Sequence, residues 1–204
     1  MTFYAGMTKA DDEKELQSVK LLGRWSTLGE ARGFCIADAP NAVAMGTWLS
    51  NWIPMADIYT VPVLDDNQQR AMILGKDSEY QVTYDKVGNN AIEGESLYFI
   101  KYQFKPEKRE DGFAAFASMT KDMDEKDSGP CTSYGRWHVP SEGYGYAIAS
   151  APSAAAIYKW AYNWASMCDC SIQGVTTDEE TRRILKSKPG FDKKYAALMA
   201  QMGM

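Results

Sequence analysis

Leu22-Gly23-Arg24-Trp25 lies over Tyr134-Gly135-Arg136-Trp137 when the sequence is slid along itself by 112 residues. The match runs on without a gap: Glu30 over Glu142, Gly33 over Gly145, Ile36-Ala37 over Ile148-Ala149, Ala39-Pro40 over Ala151-Pro152, Trp48 over Trp160, and Asn51-Trp52 over Asn163-Trp164. Met55, Asp57, Val63, Asp66 and Arg70 then meet Met167, Asp169, Val175, Asp178 and Arg182. About 19 of some 54 aligned positions are identical, three tryptophans among them, far more than an unrelated pair shares. The chain is a tandem duplication, and one copy can be read through the other.

The second copy reads more clearly. Ser96 to Phe104 is aromatic and β-branched and predicts a strand, which Pro106 ends. Phe113, Phe116, Met119 and Met123 recur every three or four positions and predict one amphipathic helix from about Glu107 to Met123, stopped by Asp127-Ser128-Gly129-Pro130. Thr132 to Val139 and Tyr144 to Ala149 then form a hairpin around Pro140-Ser141-Glu142-Gly143. Pro152 suits the first turn of a helix that carries Ile157, Trp160, Ala161 and Trp164 on one face, before a last strand at Cys168 to Val175. The order β-α-β-β-α-β predicts an α+β, ferredoxin-like unit. Its sheet is antiparallel in strand order 4-1-3-2, with both helices on one face. The bare face needs a partner, which the other copy can supply.

Gly135-Arg136-Trp137-His138, the strand Gly145-Tyr146-Ala147-Ile148 and the helix Trp160-x-x-x-Trp164 resemble the DUF3303 family of the dimeric α/β-barrel superfamily. The resemblance covers residues 96 to 180 directly and 20 to 75 through the duplication. It implies two ferredoxin-like repeats fused into a pseudo-dimeric α/β barrel. The expected organisation is a shortened first repeat at 1–76, a linker at 77–95 with a strand at Ser78 to Tyr84, a second repeat at 96–188 and a tail helix at 189–204. Leu97 to Gly135 spans about 38 residues but Phe3 to Gly23 only about 20, a deficit close to one helix. The first repeat is therefore expected to lack most of its first helix, keeping a stub at Asp11 to Lys20. The apolar surface so exposed could be covered by the linker, by the tail with Tyr195, Leu198, Met199 and Met202, or by a partner.

Composition excludes several classes. With 45% hydrophobic residues, 24% charged residues and no apolar run near the ~18 residues a span requires, neither a disordered chain nor a membrane span is expected. A net charge of −5 without a basic block argues against nucleic acid. Met1 to Met7 lacks both the apolar core of a signal peptide and the Arg/Ser richness of a transit peptide, so a soluble chain is expected, cytoplasmic or, after removal of a transit peptide, in the plastid stroma. Four cysteines without framework spacing fit a reducing compartment.

His138, the only histidine, is the acid/base candidate at neutral pH. Strand alternation puts Tyr134, Arg136 and His138 on one face, so Arg136 could clamp an anion while Tyr134 relays a proton. A single strand histidine is equally an ordinary hydrogen-bonded residue, and Ser26 replaces it in the first copy. Arg24 and Arg136 read as ligand anchors or as ion-pair donors, with Glu30 and Glu142 as the acids that recur beside them. Trp160 and Trp164, like Trp48 and Trp52, sit at i and i+4 on a buried stripe, and any pocket would lie beside them. Asn163 and Asn51 could cap the helix end or bond a ligand. Cys168-x-Cys170 lacks the further ligands that zinc needs, and the first copy has Ala56 and Ile58 there, so no metal and no cofactor is expected. Neither a phosphate loop nor a nucleophile elbow is present.

Two functions follow. One is a non-catalytic binding or assembly module, an accessory subunit docking on a larger protein complex; the family resemblance makes a photosynthetic complex one such partner. The other is a cofactor-free enzyme of isomerase, cyclase or monooxygenase type, acting on a small apolar or aromatic molecule in the second half through His138, Arg136 and Tyr134.

Overall fold

A computed structural model describes residues 1–27 and 29–201. Thr2–Gly6 (α1) and Lys9–Leu16 (α2) precede a hairpin of Lys20–Thr27 (β1) and Arg32–Asp38 (β2), then Ala42–Ser50 (α3), the short Leu64–Asp65 (β3) and Asp66–Leu74 (α4). Ser96–Phe104 (β4) leads into Arg109–Ser118 (α5) and Lys121–Ser128 (α6). The hairpin of Thr132–Val139 (β5) and Tyr144–Ala151 (β6) comes next, followed by Ala154–Asn163 (α7), Cys168–Thr177 (β7), Asp178–Lys186 (α8) and Phe191–Gln201 (α9). The fold is α+β, and the strand pairings among the described residues are antiparallel.

The duplication governs local detail as well as element order. Strands β1 and β5 start and stop at aligned residues, and both carry a register shift one residue before the repeated glycine, between Leu21 and Gly23 and between Ser133 and Gly135. Helix starts are capped in pairs. Thr8 and Thr120 cap α2 and α6, Asn41 and Ser153 cap α3 and α7, and Asp65 and Thr177 close capping boxes on α4 and α8. Each cap satisfies a first-turn N–H that the helix itself cannot.

Four expectations are corrected. The helix predicted from Glu107 to Met123 is two helices, because Met119 is extended and the Thr120 hydroxyl starts a second one. Residues 2–16 align with residues 114–128, the end of α5 and all of α6. The stub expected at Asp11 to Lys20 is instead two helices, α1 and α2, which match the end of α5 and all of α6. Ser78 to Tyr84 forms no strand; the side-chain amide of Asn67 takes both the N–H and the C=O of Val82 at 2.8 and 2.9 Å, which leaves nothing for a ladder. Helix α7 begins at Ala154 behind its cap Ser153, so Pro152 stands ahead of the first turn.

The chain folds as two compact units, residues 1–59 with 176–204 and residues 60–175. These units are not the sequence repeats. In the 60–175 unit the second repeat's strands lie in the order β7-β4-β6-β5, and β3, from the first repeat, is added at the outer edge with Leu64 opposite His138. In the other unit β1 pairs with β2 and, at Trp25 and Ser26, with Thr177 and Thr176 at the end of β7. Each unit thus receives one short strand stretch and its following helix, α4 or α8, from the other repeat. In the 60–175 unit Ile157 and Trp160 of α7 pack on Ile100, Ala147 and Ala149. In the other, α9 lies on α1, with the Tyr195 ring so close to Gly6 that no Cβ would fit. The tail thus covers its own unit as far as Gln201; Met202 to Met204 lie outside the described residues.

Candidate functional site

The repeated Gly-Arg-Trp explains itself through packing. A Cβ on Gly23 would stand 2.3 Å from the Trp25 ring, and one on Gly135 would stand 2.6 Å from the Trp137 ring. Each indole folds back over the glycine two residues before it and is buried, Trp25 to 1% and Trp137 to 3% exposure. The arginine between them projects into a charged cluster.

In the 60–175 unit, Arg136 donates through Nε and Nη2 to Asp66 Oδ2 at 2.8 and 2.6 Å, and through Nη1 and Nη2 to Asp124 at 2.7 Å each. Burial would raise the Asp66 carboxyl, but the Arg136 guanidinium and the hydrogen bond from His138 overcome it and hold the group at about 2. His138 Nε2–H donates to Asp66 Oδ1 at 2.6 Å, and the Tyr102 hydroxyl donates to Nδ1, which fixes the tautomer. Burial drives the imidazole below its ordinary value, more than the Asp66 carboxylate restores, and Arg136 and Arg70 add to the depression. His138 is neutral at pH 7 with both nitrogens engaged.

A cavity of about 80 Å³ opens beside this cluster. Its walls are Ile100, Phe104, Phe113, Phe116, Trp160 and Trp164; His138, Tyr102, Arg136 and Gln69 supply its polar atoms. Asp127 fixes two of the walls by accepting from both indoles, Trp160 Nε1 and Trp164 Nε1, at 2.8 Å. Cys168 and Cys170 also line it, with their sulfurs 3.9 Å apart. Among the described residues no group of three or more His, Cys, Asp or Glu side chains is placed to hold a metal ion.

The other unit repeats the charge cluster with two changes, Ser26 for His138 and Tyr4 for Phe116. Arg24 donates to Asp178 at 2.6 Å and Asp12 at 3.3 Å, and Arg182 donates to both, at 3.0 and 2.8 Å. Arg182 also reaches the Met7 carbonyl, as its counterpart Arg70 reaches the Met119 carbonyl. With Ser26 in place of His138, Asp178 is shared by both arginines and also accepts from the Tyr4 hydroxyl. In the 60–175 unit His138 takes the matching carboxylate oxygen, and Arg70 keeps Nε and Nη2 without a partner while its guanidinium lies 4.2 Å over the Phe116 ring.

Of the residues singled out from sequence, Arg136, His138, Trp160 and Trp164 meet at the cavity. Arg24 belongs to the other unit. Asn163 donates to the Asp127 carbonyl and carboxylate at 3.1 Å. Tyr134 sits at the strand bulge that breaks the expected alternation, and its hydroxyl donates to the Asn90 carbonyl; the tyrosine beside His138 is Tyr102. Glu30 and Glu142 are not the partners of the repeated arginines: Glu30 pairs with Arg32, and Arg109 holds the Glu142 carbonyl. The true partners had a signal in sequence. Asp66 and Arg70 recur as Asp178 and Arg182, and Met7-Thr8-Lys9 with Asp12 repeats as Met119-Thr120-Lys121 with Asp124 at the same shift.

The profile described as "Domain of unknown function (DUF3303)" matches residues 2–76 and again 96–189. The chain belongs to the DUF3303 family. The two matched segments are the two sequence repeats, so the DUF3303 pattern is present twice, and each of its copies contributes to both compact units. No curated protein and no solved structure matches the chain.

Proposed function

We propose that the chain is a non-catalytic binding module whose 60–175 unit holds a small, flat, apolar molecule. The observation that carries this reading is the aromatic-walled cavity, in which the candidate catalytic groups are already engaged. A general base needs a free nitrogen facing substrate, whereas both His138 nitrogens are bonded within the protein. An anion clamp needs unspent charge, whereas two carboxylates saturate Arg136. The strand order β7-β4-β6-β5 supports a ferredoxin-like second repeat, and the repeated first copy supports the pseudo-dimeric barrel of that superfamily.

The test is a fragment titration followed by methyl NMR. Single-ring aromatics should shift Ile100, Ala147 and Ala161, and Ala161→Phe, which fills the cavity, should abolish the shifts in a folded protein. Chemical conversion of a bound fragment would favour the enzyme reading instead.

Docking on a larger complex is the second reading, favoured by Val43, Ile53 and Tyr59 in and after α3, exposed by 77, 65 and 77%. Native mass spectrometry of untagged protein from its source tests it; a free monomer removes it.

A further inference from the structure

One buried side chain in the cavity is unexplained by the protein itself. Gln69, on α4, is 1% exposed and lines the cavity, yet neither Nε2 nor Oε1 has a hydrogen-bond partner. A buried amide left so is costly, and such groups in folded proteins ordinarily find a partner.

In the other unit the same position is satisfied within the protein. The counterpart of Gln69 is Thr181, whose hydroxyl lies 2.7 Å from that of Thr176 on the preceding strand. The counterpart of Thr176 is Leu64, which offers nothing to an amide. One copy closes the pair internally, and the other presents a longer amide to an apolar space and withdraws its protein partner. The other polar groups lining the cavity are committed: Arg136 to two carboxylates, and His138 to Asp66 and Tyr102.

We infer that Gln69 reads the occupant of this cavity, and that the occupant carries a donor and an acceptor side by side, as a lactam, primary carboxamide or carboxylic acid does, on an otherwise apolar ring. An amide edge pairs with such a group through two parallel hydrogen bonds, Nε2–H to the ligand carbonyl and the ligand N–H or O–H to Oε1. A ligand with only one of the two leaves a buried group unpaired. The inference rests on the pocket reading above.

The experiment uses three probes of one shape, benzamide, acetophenone and ethylbenzene, titrated by NMR into the full chain and into Gln69→Leu. Wild type should bind benzamide about tenfold tighter than acetophenone and prefer both to ethylbenzene. Gln69→Leu should lose or invert that order and, with a buried unpaired amide gone, should melt above wild type without ligand. Equal affinity of the three probes in wild type overturns the inference and leaves the pocket reading standing. Failure of all three to bind overturns the pocket reading and the inference with it. A Gln69→Leu protein that misfolds or melts lower shows the amide to be structural and overturns the inference alone.

Discussion

Gly135 and Arg136 divide the work of the repeated motif, and both can be tested by single substitutions. Gly135→Ala forces a methyl into the Trp137 ring, which is buried and cannot swing away; a loss of about 1–3 kcal/mol in urea melts is expected. Arg136→Met removes the only guanidinium that ion-pairs with both Asp66 and Asp124 among the described residues, leaving the more distant Arg70 as their counter-charge, and should cost about 3 kcal/mol, far more than a surface arginine. His138 supplies a pH signature. Its folded pKa lies below 6.5, so the unfolded chain takes up the proton first, and stability that is complete above pH 6.5 declines as pH falls below it. No other histidine exists, so His138→Gln should remove that part of the decline in melts at pH 7.5 and 5.5. Asp66 adds a second decline from about 4 toward 2, worth about 2 kcal/mol.

Strands β4 to β7 were legible from sequence as short runs bounded by turn residues, although the bulge at Tyr134 in β5 was not, and helix α7 was legible from the helical spacing of Ile157, Trp160, Ala161 and Trp164. The α5–α6 break was not, since two extended residues, Met119 and Thr120, interrupt the helix without altering the three- and four-residue spacing of Phe113, Phe116, Met119 and Met123 in the sequence. Alternation misled at Ser78 to Tyr84 for a different reason. Tyr80 donates to Asp124 and Tyr84 accepts from the Asp66 N–H, but the Val82 backbone between them is held by the Asn67 side chain and not by a strand. Of the site, the tryptophans and His138 were legible; the acids of Arg136 were passed over although both recur at the 112-residue shift, because Asp66 lies in the opposite repeat and Asp124 on the separate helix α6. Helix α9 gives a test at this scale. Tyr195→Ala should weaken the unit of α1 and α9 by about 1–2 kcal/mol in hydrogen exchange, with His138 of the other unit keeping its chemical shift.

At the scale of the molecule, the sequence repeats and the folded units make opposite predictions about where the chain can be cut. Fragments divided between the repeats, 1–95 and 96–204, separate Arg136 from Asp66 and Arg24 from Asp178. Neither should unfold cooperatively in calorimetry. Residues 60–175 keep Arg136, Asp66, Asp124 and His138 together and should melt as one transition with the His138 signal in place.

The exchange of α4 and α8 also sets an order of events during synthesis. Residues 60–175 are continuous, so that unit has all its parts once the ribosome has released Val175. Residues 1–59 are made before residues 176–204, which begin only about 6–23 s later at ordinary elongation rates because residues 60–175 lie between. During that interval Arg24 has no Asp178, so residues 1–59 are expected to complete their unit after residues 60–175 have all their parts.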